Sequence, residues 1–190
     1  MDKNRVEAFS DGFFAIIITV MVLEMKAPHG TDLRALFPVF PVFLSYILSF
    51  MYIAIYWNNH HHLFKAVSHI NGAVLWANSI LLFWLSLIPF LSAWMGENHF
   101  SQVPVVLYGI DLLFAAVSYS FLVKALLAFH GKNSILAKAI GSDSKGNISI
   151  VLYILALFLS FVHPLIACLL YVGVGFLWLV PDQRIEKAIK

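Results

Sequence analysis

Long apolar segments that carry almost no charge follow one another along most of this 190-residue chain. About 20 consecutive apolar residues are enough for a helix to cross the hydrocarbon core of a bilayer, where a helix satisfies its own backbone hydrogen bonds. The residues are 61% hydrophobic and 12% charged, whereas soluble domains have about 45–50% apolar and about 25% charged residues. One water-soluble core could not bury this much apolar surface. The sequence therefore predicts an all-α integral membrane protein.

Turn-forming residues divide the apolar sequence into six predicted transmembrane helices, at residues 5–26, 37–62, 67–94, 103–129, 148–162 and 164–180. The last two come from a run of 33 residues, Ile148 to Val180, which is too long for one ordinary crossing. His163 and Pro164 interrupt this run, and proline ends or kinks a helix. The remaining residues are too few for an additional soluble domain of ordinary size. We therefore expect a single six-helix transmembrane domain over residues 1–190.

The positive charges indicate how these helices are oriented, because cytoplasmic loops carry an excess of Lys and Arg. Of the 12 Lys and Arg residues, ten fall on one side of the six-span arrangement and only Lys26 and Arg34 on the other. The ten are Lys3, Arg5, Lys65, Lys124, Lys132, Lys138, Lys145, Arg184, Lys187 and Lys190. If the final apolar run were one helix instead of two, Arg184, Lys187 and Lys190 would change sides and the division would weaken to seven and five. The pattern predicts that both ends of the chain are cytoplasmic.

Polar residues at the start of helix one require partners, because charges near the membrane core are costly and usually face protein or water. Arg5 and Asp11 are six residues apart, about 240° around a helix, and cannot pair directly within it. The predicted topology brings helices two and three to this end of the bundle. They supply Trp57, His60, His61, Asn71 and Asn78 as candidate partners. The favoured interpretation is a set of interhelical hydrogen bonds, and a proton relay or sensor remains a second one.

A stripe of side chains follows further along helix one. Ile16, Thr19, Val20 and Leu23 have the i, i+3, i+4, i+7 spacing that places residues on one helix face. Such a stripe in a membrane helix usually contacts lipid or packs against other helices, and a pore is a less frequent role. Periodicity alone leaves these alternatives open.

The segment Arg5–Asp11 has the form R-x-x-x-F-S-D and resembles the signature of the lysosomal potassium channel family, transmembrane protein 175, in its short bacterial form. A second pattern of that family, W-x-x-H-H-x-L-F, is matched at residues 57–64. Asn78 and the pair Pro89–Phe90 are similar to its third helix. The resemblance covers the whole six-span chain, although its specific motifs lie in the first half.

The resemblance implies a potassium-permeable channel in the bacterial inner membrane, assembled as a homotetramer around a central pore lined by helix one. By position, it places the narrowest constriction at Ile16 and further pore layers at Thr19, Val20 and Leu23, with potassium passing transiently near Ile16 and Thr19. It implies a packing network around helix one formed by Arg5, Phe9, Ser10, Asp11, Trp57, His60, His61 and Asn78. It implies no enzymatic activity, cofactor or resident metal; the partners are further copies of the chain and membrane lipid.

The sequence bears on several functions other than a channel. The net charge of +2 gives no reason to expect nucleic-acid binding, and the single Cys168 cannot form an intrachain disulfide. A membrane enzyme or haem protein would need ligands from His60, His61, His62, His69 or His163, but three adjacent histidines point in different directions on a helix. A secondary transporter, a proton-coupled membrane protein and a structural protein remain alternatives. The filter-like run Tyr171–Phe176 lies within an apolar helix and is interpreted as close helix packing.

Overall fold

The computed structural model describes residues 2–131, 134, 136–137 and 144–179, and these residues form six α-helices and one 3₁₀-helix. No strand occurs within these ranges, so the predicted all-α class is confirmed. The elements are α1 Lys3–Leu23, η1 Leu33–Val39, α2 Phe40–Lys65, α3 Gly72–Glu97, α4 Gln102–His130, α5 Ser144–Ser160 and α6 Pro164–Leu179.

Several helix boundaries differ from the predicted ones for local reasons. Helix one ends at Leu23 instead of residue 26, at a turn that begins at Glu24 and precedes Pro28. The predicted start of helix two is a 3₁₀-helix that contains Pro38, and α2 itself begins at Phe40 with a proline in its first turn, where the missing amide donor costs least. Helix three begins five residues later than predicted because the Asn71 side chain accepts a hydrogen bond from Val74 N at 3.0 Å and caps α3.

The second half of the chain also departs from the predicted bounds. Helix α5 begins at Ser144, four residues earlier than predicted, and ends at Ser160. Pro164 is the first residue of α6, a position that proline tolerates, so the division of the final apolar run is as expected. Val180 lies outside the described residues, as do Lys132, Lys138, Arg184, Lys187 and Lys190 of the predicted cytoplasmic charges.

The helices fall into two length classes. Four apolar segments, which contain α1, η1 with α2, α3 and α4, are long and apolar enough to cross a membrane. Helices α5 and α6 have 17 and 16 residues, which corresponds to about 25 Å of helix compared with about 30 Å of hydrocarbon. They pack against each other and α5 packs on α4. The described residues thus form a multi-pass membrane protein.

Helix α3 lies in the middle of the bundle and packs on α1, α2 and α4. Large apolar side chains such as Ile53, Leu85 and Leu112 are completely buried there. Helix α1 packs mainly on α2 and α3 and lies at the edge of the subunit. One long face of α1 is therefore left without a covering helix.

Glycines allow close approach between some of these helices. A Cβ at Gly175 of α6 would meet the Met51 side chain of α2, and one at Gly109 of α4 would meet the Tyr171 hydroxyl of α6. Gly173 has open space around it. The filter-like run lies within helix α6. Within the subunit, the close-packing interpretation applies to Gly175 and not to Gly173.

Candidate functional site on helix α1

Helix α1 has one face that holds it to the rest of the subunit. Its buried residues are spaced four, three and four apart and contact α2 and α3: Ser10, Phe14, Ile17 and Met21. Phe14 lies edge-on to the His60 ring at a centroid distance of 5.7 Å. This spacing follows the 3.6-residue period, so the opposite face of α1 is turned away from the subunit.

The four predicted pore residues lie on that opposite face. Ile16 is 63% exposed, Leu23 73% and Val20 38%, and Thr19 is exposed as well. Thr19 Oγ1 donates a hydrogen bond to Ala15 O at 2.9 Å. Because the hydroxyl proton is used within the helix, the oxygen lone pairs remain available on the exposed side. The structure therefore places these four side chains on one open surface of the subunit.

Behind this surface, a buried chain of hydrogen bonds joins three helices. Asn78 Nδ2 of α3 donates to Ser10 Oγ of α1 at 3.0 Å, and Asn78 Oδ1 contacts His60 Nε2 of α2 at 2.8 Å. An amide oxygen can only accept, so His60 Nε2 is the donor. Ser10 and His60 are completely buried, and Asn78 is 3% exposed. A lost contact here would leave a polar group without water or partner.

Two further contacts join the outer edges of α1 and α2. Trp57 Nε1 donates to Asp11 Oδ1 at 3.0 Å, and His61 Nδ1 lies 3.5 Å from Glu7 Oε1. Glu7 and Asp11 are one turn apart on α1, as Trp57 and His61 are on α2, so the two antiparallel helices meet in matching register. The second contact becomes an ion pair only when His61 is protonated. Together with the buried chain, these contacts fix the rotation of α1.

Not every predicted network residue joins this group. Arg5 is exposed and makes no hydrogen bond or ion pair with the described residues. Phe9 is 64% exposed, and its ring centroid lies 6.1 Å from that of Phe13 in the same helix. Both lie on the open side of α1 with Ile16, which explains why one subunit does not bring them into the network. Asn71, a candidate partner, caps α3 instead.

Comparison with known proteins identifies the family. A potassium channel of Chryseobacterium sp. (strain P1-3) is 52% identical over 190 residues, which are 100% of this chain and 99% of that protein. The family model described as "Endosomal/lysosomal potassium channel TMEM175" matches residues 5–89 of this chain. The chain belongs to the TMEM175 family.

Two other members of the TMEM175 family extend the comparison. A solved structure, of a lysosomal potassium-selective channel TMEM175 homologue from Chamaesiphon minutus, superposes with a TM-score of 0.79 at 28% identity and covers 95% of this chain and 97% of that chain. The human protein named endosomal/lysosomal proton channel TMEM175 is 31% identical over 116 residues, which are 55% of this chain and 23% of that protein. This chain therefore spans about a quarter of the human relative.

The matched TMEM175 region contains nearly all of α1, all of α2 and most of α3, and thus the whole network around Ser10 and Asn78. TMEM175 is a family of ion channels and not a class of enzymes. The described residues contain no group of three or more His, Cys, Asp or Glu side chains placed to hold a metal ion. His163, a candidate haem or metal ligand in the sequence, accepts a hydrogen bond from Leu165 N at the turn before α6.

Sequence reasoning missed Glu7 as the partner of His61, and it missed Asp111 altogether. Asp111 lies in α4 and is 2% exposed, and neither of its carboxylate oxygens has a hydrogen-bond partner among the described residues. A signal was present, because Asp111 is the single acidic residue between Gln102 and His130. An ionisable residue in the middle of a membrane helix suggests a function.

Proposed function

We propose that this chain is the subunit of a potassium channel that carries passive potassium flux across a membrane. The observation that carries the proposal is the exposure of Ile16, Thr19, Val20 and Leu23 on the one face of α1 that the subunit leaves open. The potassium channel name of the Chryseobacterium relative, which aligns over the full length of this chain, supports the choice of ion.

A single α1 cannot enclose a pore, so the proposal requires several copies of the chain arranged around an axis. We propose four copies, with the stripe of α1 facing the axis. Large apolar side chains on the neighbouring face of α2 are also exposed and can contact the next subunit: Phe40, Phe43, Leu44, Ile47 and Phe50. The network around Asn78 then anchors the back of each α1 while its front lines the pore.

The proposed constriction is a ring of four Ile16 side chains. A narrow aliphatic ring expels water and blocks ions by dewetting, and a small outward movement of α1 would rewet it. Aliphatic groups cannot replace the hydration shell of potassium, so the ring itself provides little discrimination. Thr19 lies one turn away with its oxygen lone pairs available, and we propose that it or bound water supplies a modest preference for potassium.

We further propose that all six helices span the membrane as one domain, in a bacterial inner membrane with both chain ends in the cytoplasm. Two contacts support an alternating arrangement. Lys3 Nζ donates to Phe64 O at 3.0 Å at one end of the bundle, and Lys26 Nζ lies 3.4 Å from Glu97 Oε1 at the other. The lysines of the predicted cytoplasmic and external sides are thus at opposite ends of α1.

The proposal is tested by potassium flux from liposomes that contain the purified protein, with sodium and proton flux measured in parallel. We expect passive potassium flux from the wild type, and faster flux with a weaker preference for potassium from Ile16→Asn, because an amide side chain keeps the constriction wet. Ile154→Asn is the matched control. It makes the same exchange at a partly exposed position of α5, which packs on α4 and α6, and we expect wild-type flux from it.

Other results of the flux measurement would favour other functions. Saturable flux coupled to a second ion would favour the transporter alternative, and proton flux without potassium flux would favour the activity in the name of the human relative. If Ile16→Asn and Ile154→Asn changed the potassium flux equally, the constriction would not lie on α1. No flux above empty liposomes from correctly assembled protein would end the channel proposal.

A further inference from the structure

The interior of the subunit contains a carboxyl group that the proposed pore does not use. Asp111 is 2% exposed, and both of its oxygens lack a hydrogen-bond partner among the described residues. An isolated carboxylate in an apolar interior is far more costly than a neutral polar group. Stabilising contacts within the fold therefore do not explain its presence.

The groups around Asp111 are hydroxyls and not cations. Tyr108 lies one turn before Asp111 on α4, and its hydroxyl is 2.9 Å from Ser49 Oγ of α2. The Tyr108 ring centroid lies 6.0 Å from that of Tyr171 of α6. In α3, the one titratable residue is Glu97, the last residue of the helix. The described helices around Asp111 thus bring no Lys, Arg or His to neutralise it.

A small cavity lies on one side of this region. Its volume is about 30 Å³, which holds at least one water, since a water needs roughly 10–15 Å³. The wall includes Tyr56, Asn59 and Tyr119, and also Gly146 and Ser149 from the first turns of α5. The cavity therefore lies towards the end of the bundle where α5 begins.

Tyr56 connects the cavity to Asp111. Tyr56 lines the cavity. On α2 it lies between Ser49, which contacts Tyr108 of α4, and Asn59, which contacts Tyr119 of α4, so Tyr56 and Asp111 lie in the same stretch of the α2–α4 contact. The Tyr56 hydroxyl makes no hydrogen bond within the described part of the chain. A hydroxyl can accept a proton from water on one side while it donates its own on the other. The hydroxyls of Tyr108, Ser49 and Ser92 form a separate hydrogen-bonded chain with O–O distances of 2.9 and 2.8 Å, to which Asp111 is not bonded.

We propose that Asp111 is a proton-binding site inside each subunit, separate from the potassium pore, which exchanges protons with water through Tyr56 and the cavity. In the binding step, the Tyr56 hydroxyl first has to move into hydrogen-bond distance of Asp111, because the two groups are not hydrogen-bonded in the structure. It then passes its proton to the Asp111 carboxylate as a hydronium ion in the cavity protonates the hydroxyl oxygen. One water and one neutral carboxyl group are formed, and Tyr56 is regenerated. The proposal does not depend on potassium flux.

Infrared spectroscopy of the purified protein in phosphatidylcholine vesicles tests the site directly. We expect the wild type to show the C=O stretch of a buried protonated carboxyl group, which shifts to lower frequency when H₂O is replaced by D₂O. Asp111→Asn should lack this band. Glu97→Gln is the control, because it removes an exposed carboxylate at the end of α3, and it should retain the band and its shift.

Tyr56→Phe tests proton transfer from the cavity through the Tyr56 hydroxyl without removing the Asp111 carboxyl group. It also keeps the proposal testable if Asp111→Asn does not fold. We expect it to retain the band and to slow its D₂O shift relative to the wild type. The proposal is overturned if no such band occurs at any pH at which the protein is folded, or if Asp111→Asn retains it. An unchanged exchange rate in Tyr56→Phe would equally overturn the path. Because none of these measurements uses ion flux, failure of the channel proposal would be seen separately.

Discussion

Asn78 is the residue on which the attachment of α1 depends. Its amide donates to Ser10 on α1 and accepts from His60 on α2, so one side chain of α3 satisfies two buried groups on different helices. Hydrogen bonds between membrane helices contribute only about 0.6 kcal/mol on average. A buried group that loses its partner costs more, about 1–3 kcal/mol.

We therefore expect Asn78→Ala to lower the stability of the subunit by about 1–3 kcal/mol, because it leaves both Ser10 and His60 without partners. Ser10→Ala should have a smaller effect, since it leaves only part of the Asn78 amide unpaired. Thermal unfolding of the purified protein in detergent measures both. Ser79→Ala is the control, because Ser79 is exposed and its hydroxyl donates only to Leu75 O of its own helix. Equal midpoints for Asn78→Ala and Ser79→Ala would contradict the assigned role.

The sequence predicts which residues lie near each other better than it predicts which way their side chains point. Antiparallel connection places the end of α2 and the start of α3 beside the start of α1, so proximity of Trp57 and Asn78 to Asp11 and Ser10 follows from the order of the helices. Whether a side chain points inward depends on packing, which a single helix does not encode. Arg5 was therefore expected in the network although it lies on the open face, and Asn71 was expected as a partner although it caps α3.

At the scale of elements, the two faces of α1 follow from its periodicity, whereas the turn between α5 and α6 rests on one proline. Pro164 lacks an amide donor and begins α6, and the residues before it form the turn. The two helices are short for a bilayer. Composition alone therefore does not decide whether they cross it or form a hairpin that enters from one side.

Labelling at this turn distinguishes the two arrangements. Val162 is 75% exposed, and we expect Val162→Cys in a Cys168→Ser background to react with a membrane-impermeant maleimide added outside intact cells, because two crossings place the turn on the external side. Asp32→Cys, in the loop before η1, is the positive control. Ser68→Cys, between α2 and α3, is the control for the opposite side. Labelling of Val162→Cys only after the cells are opened would show that α5 and α6 do not both cross.

At the scale of the whole molecule, a chain of 190 residues has its interior filled by its own helices, and its potential ion path lies on its outside. The exposed face of α1 and the apolar face of α2 beside it become a pore and an interface only when copies assemble. Periodicity could identify the stripe from Ile16 to Leu23 but could not distinguish a pore from lipid contact. That distinction depends on the number of copies, which is a property of the assembly.

Block of the potassium flux by cadmium tests whether several copies of α1 surround one pore. In a Cys168→Ser background, Ile16→Cys would place four thiols around one axis, and soft cadmium ions are bound by several thiolates at once. We expect cadmium to stop potassium flux through Ile16→Cys and a chelator to restore it, while native mass spectrometry shows four chains. Ile154→Cys, on α5, should conduct normally in cadmium. Assembly of only two chains would contradict the four-copy pore. Flux through Ile16→Cys that cadmium leaves unchanged would place the pore elsewhere, since four thiols at the narrowest point cannot bind the ion and still leave the path open.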